Sequence, residues 1–155
     1  METLKTPFGT LYVQASNKGV TALTFDKSEL SSSMETTPAS KKICNESVKY
    51  LKSYLSGNLA ALSKIKLDPQ GTPFQQKAWK ALTKIAPGKT ASYGEIARKI
   101  GSPKAARAVG MACNKNPICL AVPCHRVISS SGNLTGYRGG LKRKEALLRH
   151  EGISS

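Results

Sequence analysis

Apolar and polar positions alternate from Leu11 to Phe25 on either side of Asn17-Lys18-Gly19. A period of two marks strands with one buried face, so this stretch predicts a β-hairpin, with Gly19 able to take positive φ in the turn. The alternation lapses from Ser28 to Ser40, where Ser and Thr surround a single proline, and a mobile loop that serves only as a connection is expected. Ile43, Val48, Tyr50, Leu51, Tyr54 and Leu55 then give an amphipathic helix that stops at Gly57, and Ile65 to Leu67 supplies another short strand. There is no internal repeat in the sequence.

From Gly71 onward the period becomes helical. Thr72 is the expected N-cap and Pro73 the first residue of a helix with Phe74, Ala78, Leu82 and Ile85 on one stripe; Trp79 beside them reads as core packing rather than a base-stacking platform. Ser92-Tyr93-Gly94-Glu95 forms a capping box that opens a short helix ending at Gly101. Ser102-Pro103 is expected to start another, running through Ala105, Ala106, Ala108, Val109 and Ala112. Two helices joined by a Gly-containing turn predict a helix-turn-helix. The expected fold class is α+β. A small N-terminal domain of antiparallel sheet and helix, residues 1–68, supports a helical C-terminal domain, residues 69–155, with a winged-helix-like helix-turn-helix.

Charge then narrows the partners. Among 155 residues, Lys and Arg number 24 against 9 Asp and Glu, a net +15. Residues 1–63 carry seven basic and five acidic side chains and residues 64–155 carry seventeen and four, so polyanion binding is assigned to the C-terminal part. No run of about twenty apolar residues exists to span a membrane, and the N-terminus lacks a basic-then-apolar leader. The expected location is therefore cytoplasmic, or nuclear or nucleoid-associated. In such a reducing compartment Cys44, Cys113, Cys119 and Cys124 are expected as free thiols. With no CxxC pair, two histidines and a C-x5-C-x4-C-H spacing that fits no common zinc module, no metal and no cofactor are expected.

Two segments carry candidate chemistry. Lys104-Ala105-Ala106-Arg107-Ala108 sets small side chains beside one long cation. Such a helix can bring its backbone close to a duplex and let Arg107 intrude where a base would be, or it can make a tight helix–helix contact with Arg107 simply solvated. In Pro123-Cys124-His125-Arg126-Val127, neighbouring positive charge and a histidine would favour the thiolate, a soft nucleophile. Adjacent side chains diverge, so His125 would act through a water or a sharply turned loop, and Glu151 is a candidate to orient its far nitrogen. A buried structural cysteine is the alternative.

Taken with Ser92-Tyr93, Lys104 to Gly110, Asn116-Pro117, Gly136-Tyr137 and His150-Glu151-Gly152, the run Pro123 to Val127 resembles the O6-alkylguanine-DNA alkyltransferases, also called methylated-DNA–protein-cysteine methyltransferases. The resemblance spans essentially the C-terminal half, in order and with compatible spacing; the N-terminal half matches in general character only. It implies that Cys124 attacks the alkyl carbon on guanine O6 in double-stranded DNA and keeps the group as a thioether, once per molecule, with O4-alkylthymine as a further possible substrate. It also implies His125 as water-mediated base, Glu151 as its partner, Asn116 as brace of the cysteine loop and Tyr93 as donor to the departing guanine. Arg107 would replace the flipped nucleotide, with Ser92, Lys104, Ala105, Ala106 and Arg126 as further DNA-binding residues. Val127, Tyr137, Arg138 and Cys113 would wall the base pocket, and the carbonyls of Cys124 and Val127 would read the exocyclic amine.

The chemistry suits these roles. Displacement at saturated carbon needs an in-line thiolate, and a target atom inside the stack must first be rotated out. A monomer without membrane association is expected, and Glu151→Gln should slow transfer while leaving folding largely intact. Cys113 and Arg138 stand where relatives differ. Three other readings remain: a non-catalytic lesion binder, which would lack the nucleophile; a transcription regulator, which would select sequence in undamaged DNA; and a cysteine hydrolase, which would turn over repeatedly.

Overall fold

The computed structural model describes residues 1–132, 137 and 139–153. These group into two units, Met1–Gln70 with Pro117–Ala121, and Gly71–Asn116 with Val122 onward.

In the first unit β1 (Glu2–Thr6), β2 (Gly9–Ala15) and β3 (Val20–Thr24) form an antiparallel sheet in that order, with α1 (Pro38–Leu55) packed on it. The alternation seen in the sequence is the burial pattern of β2, where Leu11, Val13 and Ala15 face inward. Gly19 does not take positive φ in the hairpin. Its reason is space: a Cβ there would lie 2.8 Å from the carbonyl carbon of Leu67. Residues 66–68 come that close because Val20 N donates to Lys66 O and Asp68 N to Val20 O, both at 2.8 Å. The expected strand at Ile65–Leu67 is thus a single parallel bridge, Val20 to Leu67. The expected loop from Ser28 to Ser40 also differs. It holds a 3-10 turn at Lys27–Glu29, and α1 begins inside it at Pro38, since Thr37 and Ser40 close a capping box that outweighs the low local hydrophobicity.

A return segment completes this unit. Leu23 N donates to Pro117 O and Cys119 N to Leu23 O, both at 2.9 Å, making a parallel bridge from Leu23 to Ile118. A boundary at 68/69 with everything later in one domain therefore misses residues 117–121.

The second unit is built from α2 (Pro73–Leu82), α3 (Tyr93–Lys99), α4 (Ala106–Asn114) and α5 (Leu141–His150), with β4 (Ala91–Ser92) pairing in parallel with β5 (Val127–Ile128). Thr72 and Ser92 cap α2 and α3 through capping boxes with Gln75 and Glu95. Helix α2 stops at Leu82, and Ile85 is buried beyond its end. Trp79 is core: it is buried, and its Nε1 donates to Ala112 O at 2.8 Å, tying α2 to α4.

Helices α3 and α4 make the helix-turn-helix, but α4 starts four residues after Ser102. Gly101, at φ +79°, donates to Arg98 O, and Ser102 N donates to Ala97 O at 2.9 Å. That is the left-handed closure of a helix C-terminus, so the backbone of Ser102 ends α3 rather than beginning α4. Lys104 and Ala105 consequently sit in the turn.

Candidate active site

Cys124 opens a 3-10 turn, Cys124–Arg126, that leads directly into β5. This turn is braced by Asn116, whose Nδ2 donates to Val122 O at 2.8 Å and lies 3.2 Å from Cys124 Sγ. Cys124 is buried, yet it lines a cleft of about 710 Å³ together with Tyr93, Arg107, Gly110, Cys113 and Tyr137. A volume of this order is that of a small-molecule pocket, with a single thiol of the turn at its wall.

Behind the turn lies a buried polar array. His125 Nε2 and Glu151 Oε2 are 2.9 Å apart, both side chains fully buried. Burial lowers the imidazole pKa from its ordinary value, and this outweighs the opposing pull of Glu151. The neutral ring then carries its proton on Nε2, donated to the carboxylate, and leaves Nδ1 as a lone-pair acceptor. Nδ1 is buried and has no hydrogen-bond partner among the described residues.

Arg126 corrects an expectation. It is only 4% exposed, and its guanidinium is bidentate on Glu151, with Nε to Oε1 at 2.8 Å and Nη2 to Oε2 at 2.9 Å, while Nη1 donates to Ile85 O at 2.7 Å. These bonds turn it inward to hold the carboxylate that holds His125, so it is not available to a DNA phosphate. Val127 is a second correction. It is fully buried, its carbonyl accepts from Lys144 Nζ at 2.6 Å, and it is not among the described residues lining the cleft.

Lys144 is the functional candidate that sequence reasoning missed. The residue is 1% exposed, and burial pushes its pKa below the ordinary lysine value, while the Cys124 and Cys113 thiols act in the opposite direction. A signal existed: Lys144 lies three and four residues before Leu147 and Leu148, on the buried stripe of α5. Cys113, on α4, shares the cleft. Its thiol is pushed up to about 12, chiefly by burial, with Cys124 adding to the shift and Lys144 opposing it. It stays a neutral thiol near neutrality and is a poor nucleophile beside Cys124.

The remaining expected residues divide by exposure. Lys104 and Arg107 are exposed, Ala105 and Ala106 are half-buried, and the Ser92 hydroxyl accepts from Glu95 N as the cap of α3. Arg138 and Gly136 lie outside the described residues. Among the described residues no three His, Cys, Asp or Glu side chains gather as a metal would require.

Fold and site together define a helix-turn-helix protein that sets one cysteine, backed by a buried His–Glu–Arg array, at the edge of a cleft. Residues 73–153 match the model of the 6-O-methylguanine DNA methyltransferase DNA-binding domain, and residues 1–69 that of the ribonuclease-like domain of the same proteins. The chain belongs to the 6-O-methylguanine DNA methyltransferase family. It is 42% identical over 149 residues to a methylated-DNA–protein-cysteine methyltransferase of Methanosarcina acetivorans, covering 96% of this chain and 95% of that one. To the protein of the same name from Mycobacterium tuberculosis it is 57% identical over 104 residues, covering 67% and 62%. The crystal structure of Mycobacterium tuberculosis OGT in complex with DNA is similar at a TM-score of 0.81 and 42% identity, covering 96% of this chain and 90% of that one.

Proposed function

We propose that this protein repairs O6-alkylguanine in double-stranded DNA by transferring the alkyl group irreversibly to Cys124. The observation that carries this is the placing of Cys124 Sγ at the cleft wall, 3.2 Å from Asn116 Nδ2, with the His125–Glu151 pair buried beside it.

The Cys124 thiol gives its proton to Nδ1 of neutral His125 through a bridging water, and Lys144 favours the resulting thiolate by its charge. Sulfur attacks the alkyl carbon from the side opposite guanine O6. A carbon–sulfur bond forms as the carbon–oxygen bond breaks, and its electrons pass to guanine, which Tyr93 stabilises with a hydrogen bond or proton. Glu151 steadies the imidazolium that forms, and Arg126 fixes Glu151. Arg107 fills the place of the extruded nucleotide, with Lys104, Ala105, Ala106 and Ser92 along the backbone. Tyr137 and Cys113 flank the base, and the Cys124 carbonyl reads its exocyclic amine. The protein works as a monomer, without cofactor, on DNA in the cytoplasm, nucleus or nucleoid. Among the described residues no helix is long and apolar enough to cross a membrane.

Incubation with excess duplex carrying O6-methylguanine, followed by digestion and mass spectrometry, tests the assignment. One methyl group is expected, on Cys124. Alkylation chiefly at Cys44, Cys113 or Cys119, or turnover beyond one event per molecule, would overturn it; tight binding with no transfer would favour a non-catalytic lesion binder.

A further inference from the structure

Helix α4 presents Arg107 and Met111 along the same wall of the cleft. Four residues apart, they are neighbours on one helical face. Met111 is 68% exposed; the other exposed large apolar side chains among the described residues, Met1 and Leu141, sit outside this helix. The charged residues of its segment are all cationic, with Lys104, Arg107 and Lys115 exposed and no Asp or Glu between Glu95 and Glu145 in the sequence.

That combination selects the occupant. A cationic face calls for a polyanion, while a protruding thioether calls for an apolar surface. Duplex DNA offers its largest apolar surface beside phosphates where a step between base pairs has been opened, exposing the flat face of a pair. An arginine that fills a vacated place can stack its planar guanidinium on one neighbouring face, but an opened step has a second face to cover. A flexible, polarizable methionine one turn further along the helix can cover it.

We propose that Met111 is a second wedge, packing against the base pair beside the extruded nucleotide and keeping the step open while Arg107 occupies the gap. The assignment rests on the repair function proposed above and names a positioning residue, since Met111 acts on the flanking pair and not on the reacting atoms.

The test compares Met111→Gln, nearly isosteric but polar, with Met111→Leu. Single-turnover rates are measured on O6-methylguanine in duplex and on a free O6-alkylguanine base, with 2-aminopurine next to the lesion reporting the open step. Met111→Gln should lower the ratio of duplex rate to free-base rate roughly tenfold and reduce the 2-aminopurine emission, and Met111→Leu should restore both. An unchanged ratio overturns the proposal. So does an equal fall on both substrates, which would make Met111 a pocket wall. Failure of the repair reading itself looks different, because the unsubstituted protein would then transfer from neither substrate.

Discussion

At the residue scale, Glu151 and Arg126 are each engaged by three hydrogen bonds of the buried array. The Glu151 carboxylate meets His125 Nε2 and two guanidinium nitrogens of Arg126. The sequence motif made the His125 partnership legible, and it led to the expectation that Glu151→Gln spares the fold. Arg126 changes that. The substitution would leave a guanidinium that is 4% exposed without its counter-charge, and breaking a buried pair costs about 3–5 kcal/mol. Glu151→Gln should therefore unfold at a clearly lower temperature as well as transfer slowly; an unshifted thermal midpoint would show that Arg126 does not depend on this carboxylate. Arg126 departs from its expected role and Lys144 escapes sequence reasoning for one reason. Basic side chains in a basic chain look solvated until a fold shows which of them point inward, and only the stripe spacing of Lys144 hinted otherwise.

At the scale of elements, local signals travelled well and nonlocal ones did not. The N-cap at Thr72, the capping box at Ser92, the hairpin and the helix-turn-helix were legible because each is decided by a few neighbouring residues. The pairing of Ala91–Ser92 with Val127–Ile128 was not, since two-residue strands have no period to detect. Gly19 was legible as a glycine but for the wrong reason. Because its missing Cβ makes room for the backbone at Leu67, 2.8 Å away, Gly19→Ala should destabilise the protein by about 1–3 kcal/mol in denaturant unfolding. Gly94→Ala is the control: its nearest neighbour would be the Arg98 Nη1 at 3.6 Å, and in helix α3 the change should be neutral to slightly stabilising. Equal effects at both sites would remove the steric explanation.

For the whole molecule, the buried array links repair chemistry to acid stability. His125 has its pKa lowered by burial, so as pH falls through the ordinary imidazole value of 6.5 the unfolded chain binds a proton that the folded one refuses. Stability contributed by the neutral ring is full above that value and drains away below it. Unfolding free energy should thus decline between about pH 7 and pH 5, and His125→Asn should flatten the decline; an identical slope in the variant would place the titration elsewhere. The division into two halves was legible from composition, but the return of Pro117–Ala121 was not, because its bond partners on Leu23 lie some ninety residues earlier. That return limits where the chain can be cut. Leu120, dry at 1% exposure and holding the rare φ of +67° for a leucine, lies with Ile118 in the stretch between α4 and the turn at Cys124. A fragment cut at residue 71 would keep Pro117–Ala121 but lose the strand they bond to, leaving Ile118 and Leu120 bare a few residues from Cys124.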